Sequence, residues 1–500
     1  MTITSDAATI AGSLAAFRAL PEWLAAGKDA EKVGASLTSR VPEFRDGRLR
    51  LLACRCDRLR AKGAQGGEWL ARYVLTVMGP ESEPAEVVLV GNLWPPGTTP
   101  AEPPCEPVGA AFGESGWRCS LPEPRLDLRV QPSDEALPAL PRLVDAPAVA
   151  RLVEPILREG GYRDATIRSC NPVVARYKPG SRCTVVVTLD CTAPPHGPVP
   201  PDRVVLKTYH GDKGATAWAA MNALWRRRFS WRDSVRMAEP LGYLADERIL
   251  VQGPVPGERT LKDLAWLAIA EGSPELLDLL RIELVATARA LAAVHGSGTS
   301  YGRTATLEEE LDEVHENLDR LARSMPWLAP AALPLLSRLA ELAGSTVPDP
   351  VVPSHQTFRP AQVLLGEGGV GFIDFDGAGM AEPALDVSRF RGALRGIVTA
   401  ASRLHEPERS VERADARLSL ADDLCEAFLS AYQEHATVSR DRVLLWETCD
   451  LLTVLLSAWA KARSDRVGDR LAQLEHQILT GGLLDGGSAP EPTGGAPHAL

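Results

Sequence analysis

The sequence predicts an α+β fold of two segregated lobes, a small β-rich one followed by a large helical one, with a further β-containing domain in front. Three observations predict it. The 500 residues exceed what a single hydrophobic core serves. Strand-like apolar runs crowd residues 49–92 and again 166–251, whereas helical spacing of apolar residues dominates from there to about residue 480. The switch between the two patterns falls between Gln252 and Gly257, and strands first with helices after is the order of an α+β chain.

Taken along the chain, a helix is expected over residues 10–24 and strands over 49–56, 69–78 and 87–92. Residues 95–107 are dense in Pro, Gly and Glu, and the text stays irregular to about 145, so the first domain is set at residues 1–145. A helix follows over 147–160, with Pro147 in its first turn, where a missing N–H has no cost. Strands at 166–177, 183–189 and 203–209, a helix at 215–228 and a hairpin over 238–251 make a small antiparallel lobe of residues 146–252. Helices then fill a lobe of residues 253–480, including one at 275–294. The Gly, Pro and Ala-rich stretch 481–500 reads as a disordered tail. Arg60, Lys62, a strand, a loop and Val87-Val88-Leu89-Val90 echo Arg176, Lys178, a strand, a loop and Val204-Val205-Leu206-Lys207. The echo suggests that residues 1–145 hold a sheet related to the later one, packed as a cap on the smaller lobe.

Composition narrows the function classes. An apolar fraction of 45% and a charged fraction of 24% are those of ordinary globular chains. A net charge of −11 argues against nucleic acid as a partner, because phosphate backbones demand a basic footprint. Arg226, Arg227 and Arg228 read as one solvated helix end. The nine cysteines are scattered without a Cys-x-x-Cys pair, which points away from zinc and from a disulfide framework, and toward a reducing, cytoplasmic setting. No apolar run has the length to cross a bilayer and no leader pattern opens the chain, so neither membrane nor export is expected.

The most informative stretch is Pro353-Ser354-His355-Gln356-Thr357-Phe358-Arg359-Pro360-Ala361-Gln362-Val363-Leu364-Leu365, followed after a Gly-rich turn by Ile373-Asp374-Phe375-Asp376. A loop between apolar strand ends and a short hairpin closing on an acidic residue is a common mount for a metal and phosphate site. Taken singly, Lys207 reads as a solvated strand end, Asp374 as a turn residue and His355 as a packed structural histidine. Their order and spacing say more. The stretch resembles the catalytic and metal-binding loops of the aminoglycoside phosphotransferase and choline kinase family, in which His-Gly-Asp is followed five residues after the Asp by Asn. The corresponding residues here are His355, Gln356, Thr357 and Gln362.

The resemblance covers roughly residues 147–480 and implies a protein-kinase-like fold with an ATP cleft between its lobes. It implies that Asp374 binds magnesium, together with Gln362, and that Lys178, Gly180 and Ser181 belong to a phosphate-covering turn. It also implies that Lys207 pairs with the phosphates and that Gln252 opens the hinge that receives adenine. Glu382-Pro383-Ala384-Leu385-Asp386 matches the family's Asp-Pro-x-x-Asp at the Pro and the second Asp. The helix ending in His295-Gly296 matches the family's long helix in the larger lobe.

Departures from the family matter for the chemistry. Phosphoryl transfer of this kind uses a carboxylate that orients the attacking hydroxyl and receives its proton. Thr357 stands at that catalytic position, and a general base typically contributes about 10² to 10⁴ in rate. Between residues 208 and 229 only Asp212 is acidic, so no Glu follows Lys207 to pair with it. Some sugar kinases of this fold, such as the maltokinases, carry Gln at the position of Gln362 and an N-terminal cap. Two readings stand open. The first is ATP-dependent phosphoryl transfer to a hydroxyl of a small molecule or peptide, with Asp376 or Glu382 as a stand-in base. The second is an inactive pseudo-phosphotransferase that binds nucleotide and serves as a regulatory or scaffolding partner of another protein. Antibiotic, sugar and peptide acceptors all remain open.

Overall fold

A computed structural model describes residues 4–62, 67–98, 110–131, 134–192, 197–227, 235–402 and 411–480. The expected tail at 481–500, most of the Pro-rich connector and Arg228 lie outside these residues. The chain opens with helices α1 (Thr4–Ser13), α2 (Glu22–Lys28), α3 (Ala30–Arg40) and α4 (Pro42–Arg45). The Asp29 carboxylate caps α3 by accepting from the amides of Glu31 and Lys32 at 3.1 Å.

Strands β1 (Arg50–Ala61), β2 (Trp69–Met78), β3 (Ala85–Leu93), β4 (Arg118–Leu121) and β5 (Leu126–Val130) form the first sheet, in the order β1-β2-β3-β5-β4 with every neighbour antiparallel. β4 and β5 fall in the stretch expected to be irregular. They are short, four and five residues, and interrupted by charge, so their alternation is too brief to stand out. After α5 (Leu140–Leu143) and α6 (Ala146–Glu159) come β6 (Ile167–Lys178), β7 (Arg182–Cys191) and β8 (Arg203–Tyr209). Helix α7 (Lys213–Arg227), β9 (Arg236–Met237), β10 (Pro240–Leu244) and β11 (Ile249–Gln252) follow. The second sheet runs β6-β7-β8-β11-β10, again antiparallel throughout. Strand for strand this is the order of the first sheet, the structural counterpart of the echo in sequence.

Helices dominate from α8 (Leu261–Glu271) and α9 (Pro274–His295) through α10 (Leu307–Ala322) and α11 (Leu328–Ser345). Between α11 and α12 (Pro383–Ser402) lies a stretch of short strands and turns that carries the site. α13 (Val411–Gln433), α14 (Arg440–Trp459) and α15 (Ser464–Thr480) complete the lobe. The fold is therefore an α+β pair of lobes preceded by a β-containing segment, as the strand-then-helix order predicts.

The first sheet sits differently from expectation. Among the described residues Arg58 joins it to the turn of the smaller lobe at Pro179, and its core is continuous with that of the helical lobe. Phe17 and Trp459, both fully buried, meet edge to face with ring centroids 5.7 Å apart, and the Trp459 indole donates to the Phe17 carbonyl at 3.0 Å. Ser13 Oγ donates to the Ala331 carbonyl at 2.8 Å, and the amide of Ala61 to the Ala460 carbonyl at 2.8 Å. Burial follows apolar area, and the buried residues of the first sheet and of the helical lobe form one core. One face of the second sheet, by contrast, packs with α6 into a separate core that includes Val153, Leu157, Val185, Leu206 and Val251.

Candidate functional site

Period-two alternation builds the upper wall of the site. Along β7, Cys183, Val185 and Val187 enter the core against α6, so Arg182 and Thr184 face the other way. The ladder sets Arg182 opposite Tyr209 and Thr184 opposite Lys207, which brings Arg182, Lys207 and Tyr209 onto one face. That face meets the loop carrying Asp374 and Asp376. Lys207 Nζ lies 3.1 Å from Asp374 and 3.5 Å from Asp376. The Arg182 guanidinium donates to both oxygens of Asp374 at 3.1 and 3.3 Å and also to Asp376, and the Tyr209 hydroxyl donates to Asp376 at 2.8 Å. The carboxylate partner absent from the helix after Lys207 is thus supplied by the loop of the other lobe.

Burial pushes the Asp374 carboxyl up, but Lys207 and Arg182 outweigh burial and hold it well below the usual carboxylate range. The Tyr209 hydroxyl is pushed up, first by burial and then by Asp376 beside it. Asp374 itself has φ 71°, left-handed backbone that a non-glycine residue adopts at a cost of about 1–3 kcal/mol and that clusters at functional sites.

The lower wall is the loop after Ser354. Asp386, fully buried, accepts from Ser354 Oγ and the His355 amide at 2.7 Å each and lies 3.2 Å from His295 Nε2. This carboxylate ties the loop to the end of α9, where the sequence pattern placed His295. His355 is buried, with Nε2 3.0 Å from the Ile373 carbonyl and Nδ1 3.2 Å from Thr357 Oγ1, a packed role that joins the two site loops. Thr357 Oγ1 also accepts from Gln362 Nε2 at 3.4 Å. Arg389 donates to the Gln356 carbonyl and to Glu310, fixing the loop from α12.

A cleft of about 570 Å³ runs between these walls. Thr357, Gln362, Asp374, Lys178, Gly180 and Ser181 line it together, and Lys207 reaches it through Asp374. Gln252 stays apart: it is buried at the end of β11, paired with Val205, and is not part of the lining. Glu382 is no stand-in base. Arg442 holds it with two guanidinium nitrogens, one at 2.7 Å, and it accepts from Trp446 and from the Asp349 amide away from the cleft. Asp376 does line the cleft. Sequence reasoning placed Arg182 at the end of the turn but gave it no role, and it missed Tyr209 and Arg60 as residues of this cleft. Counting alternate residues on from Lys207 would have found Tyr209.

Among the described residues no group of three His, Cys, Asp or Glu side chains is placed to hold a metal. Magnesium, however, takes one or two protein oxygens and completes its shell with water and phosphate. Gln362 Oε1 is buried without a hydrogen-bond partner and Asp374 offers a carboxylate, so this pair fits such an ion in donor chemistry once Arg182 yields. No helix among the described residues is long and apolar enough to cross a membrane.

The chain is similar to a choline/ethanolamine kinase family protein from Mesorhizobium loti (14% identity, TM-score 0.42, 62% of this chain and 90% of that one). It is also similar to a glucosamine kinase solved with glucosamine, ADP and inorganic phosphate (16%, 0.41, 89% and 98%). A third similar structure is the choline kinase LicA from Streptococcus pneumoniae (12%, 0.42, 67% and 99%). No curated protein matches the chain. Residues 199–430, which hold Lys207, the site loops and Asp386, match the family described as the phosphotransferase enzyme family.

Proposed function

We propose that the cleft binds a nucleoside triphosphate with magnesium and that the protein works as a nucleotide-binding pseudo-phosphotransferase. The lobes at residues 146–252 and 253–480 enclose the nucleotide, and residues 1–145 form a cap. Lys178, Gly180 and Ser181 cover the phosphates, Lys207 pairs with them, and Gln252 leads into the segment that receives adenine. Asp374 and Gln362 would hold the metal, which when bound neutralises phosphate charge. All eight described cysteines are free thiols, which suits a cytoplasmic setting.

One observation carries the choice of binding over turnover. Thr357 stands where an acceptor hydroxyl would need a carboxylate, and the two carboxylates lining the cleft, Asp374 and Asp376, are engaged by Arg182, Lys207 and Tyr209. A hydroxyl of threonine does not accept a proton near neutral pH, so an acceptor brought there meets no base. A second reading, transfer with Asp376 as the base, is favoured by its place in the same cleft.

The two are separated by ATP turnover measured over a panel of aminoglycosides, sugars and hydroxyl-bearing peptides, with Asp374→Asn as the blank. The wild type is expected at the level of the blank; turnover clearly above it refutes the pseudo-enzyme. Thr357→Asp then asks whether the base alone is missing, in which case turnover should rise by about 10² or more.

A further inference from the structure

The cleft lining is far more basic than the chain around it. Arg60, Lys178, Arg182, Lys213 and Arg359 face only Asp374 and Asp376, in a protein whose net charge is −11. Arg182 is matched by the two aspartates. No carboxylate lies within ion-pair distance of Arg60, Lys178, Lys213 or Arg359 among the described residues. The hydrogen bond from the Ala61 amide to the Ala460 carbonyl, 2.8 Å long, places two more elements at this spot: the end of β1, with Arg60, and the turn after α14, with Lys461. Among the described residues Lys461 Nζ has a hydroxyl partner, Ser457, at 2.5 Å, and no carboxylate. Burial lowers the Lys461 ammonium, and the charges of Arg463, Lys178, Arg359 and Arg60 lower it further.

Clustered like charges repel one another, and without carboxylate partners they are balanced by an anion. A nucleotide's phosphates account for Lys178 and Lys207 at the covering turn. They leave Lys213, at the start of α7, and Arg60, Arg359 and Lys461, which come from three further parts of the chain and meet at the Ala61–Ala460 junction. We infer that Arg60, Arg359 and Lys461 form a second anion site, at the junction of the first sheet and the helical lobe, which takes the phosphate group of a phosphorylated small molecule beside the nucleotide. Two guanidinium groups and an ammonium suit a phosphate dianion, because guanidinium pairs with phosphate in a bidentate way. The inference deepens the nucleotide reading, on which it rests for the occupant of the other half of the cleft. It also gives the N-terminal segment a part in ligand selection.

The test is calorimetric titration of inorganic phosphate into the full-length protein saturated with magnesium and ADP, for the wild type and for the Arg60→Gln/Lys461→Gln double variant. Phosphate should bind the wild type and bind the variant about tenfold or more weakly, as expected for charged hydrogen bonds, while ADP affinity changes less than about threefold. Arg60→Lys alone should retain most of the phosphate affinity, which guards against a folding defect as the cause. Phosphate binding that is absent from the loaded wild type, or that survives in the double variant, overturns the inference. So does parallel loss of phosphate and ADP. If the protein takes up no ADP at all, the nucleotide reading fails on its own account, and the same phosphate titration on the nucleotide-free pair still decides the anion site.

Discussion

The sheet of residues 50–130 and the sheet of residues 167–252 are laid out in one order, yet they serve the molecule in opposite ways. The second carries Arg182, Lys207 and Tyr209 on the face turned to Asp374 and Asp376. In the first, the run Val87-Val88-Leu89-Val90 ends in a valine where the echo has Lys207, and the neighbouring strands hold Arg72 paired with Asp57. Their cores differ as well. The first sheet shares its buried residues with the helical lobe, whereas one face of the second has a core of its own with α6. The same scaffold is thus used once as a part of the base and once as a separately packed sheet that sets Arg182, Lys207 and Tyr209 against the two aspartates.

The largest effect should come from breaking the shared core. Phe17→Ala removes a fully buried ring from the junction with Trp459 and should cost about 3–5 kcal/mol. In denaturant unfolding the first sheet and the helical lobe should melt together at a lower midpoint. Leu157→Ala, in the core against α6, should instead lower the transition of the second sheet alone. Two equal, global shifts would dissolve the distinction.

Next in size is the exchange of chemistry between the sheets. Lys207→Ala should weaken magnesium-ADP binding by about 10- to 100-fold, the range for a hydrogen bond to a charged group. Val90→Lys should leave it unchanged. A loss in the second variant matching the first would mean that the first sheet also meets the nucleotide.

Smaller again is the contribution of Arg58, which donates to the Pro179 carbonyl across the two sheets. Arg58→Gln should cost about 1 kcal/mol or less in stability and raise hydrogen exchange at residues 178–181. Acid should act gradually on the helical lobe. Burial pushes the Asp386 carboxyl up, but hydrogen bonding from His295, the charges of His295 and His355, and Ser354 outweigh it and leave it lowered. Its stabilisation is complete above the ordinary aspartate value near about 4 and should drain as pH falls below that toward the depressed folded value. Thermal midpoints that stay flat below pH ~4, or fall only above it, would contradict this sign.

Much of this was legible in sequence. Strands over 69–78 and 203–209 coincide with β2 and β8, because long alternating or apolar runs fix both the element and its ends. The cluster of Thr357, Gln362 and Asp374 was legible through the resemblance of their two loops to the family's motifs. What was not legible depends on distant pairing. Glu382 read as a base because nothing near it in sequence neutralises it, while Arg442, sixty residues on, does so in space. Helix α3 escaped because it buries only three residues, Val33, Gly34 and Leu37, one of them a glycine, which leaves a faint apolar stripe. Arg60 had no chemical meaning until the Ala61 to Ala460 hydrogen bond set it beside the cleft.

The covering turn at residues 178–181 has one more property. Asp134, in the segment that joins the two sheets, accepts from the Gly180 amide and from the Tyr177 hydroxyl at 2.8 Å each, while Arg58 grips the Pro179 carbonyl. A flap that in a free-standing lobe would take its shape from its own strands is here pinned from outside, by a linker and by a neighbouring domain. Its freedom is therefore a property of the whole chain. A force applied to the first sheet is transmitted to the flap through two side chains, as a lever passes motion to a latch.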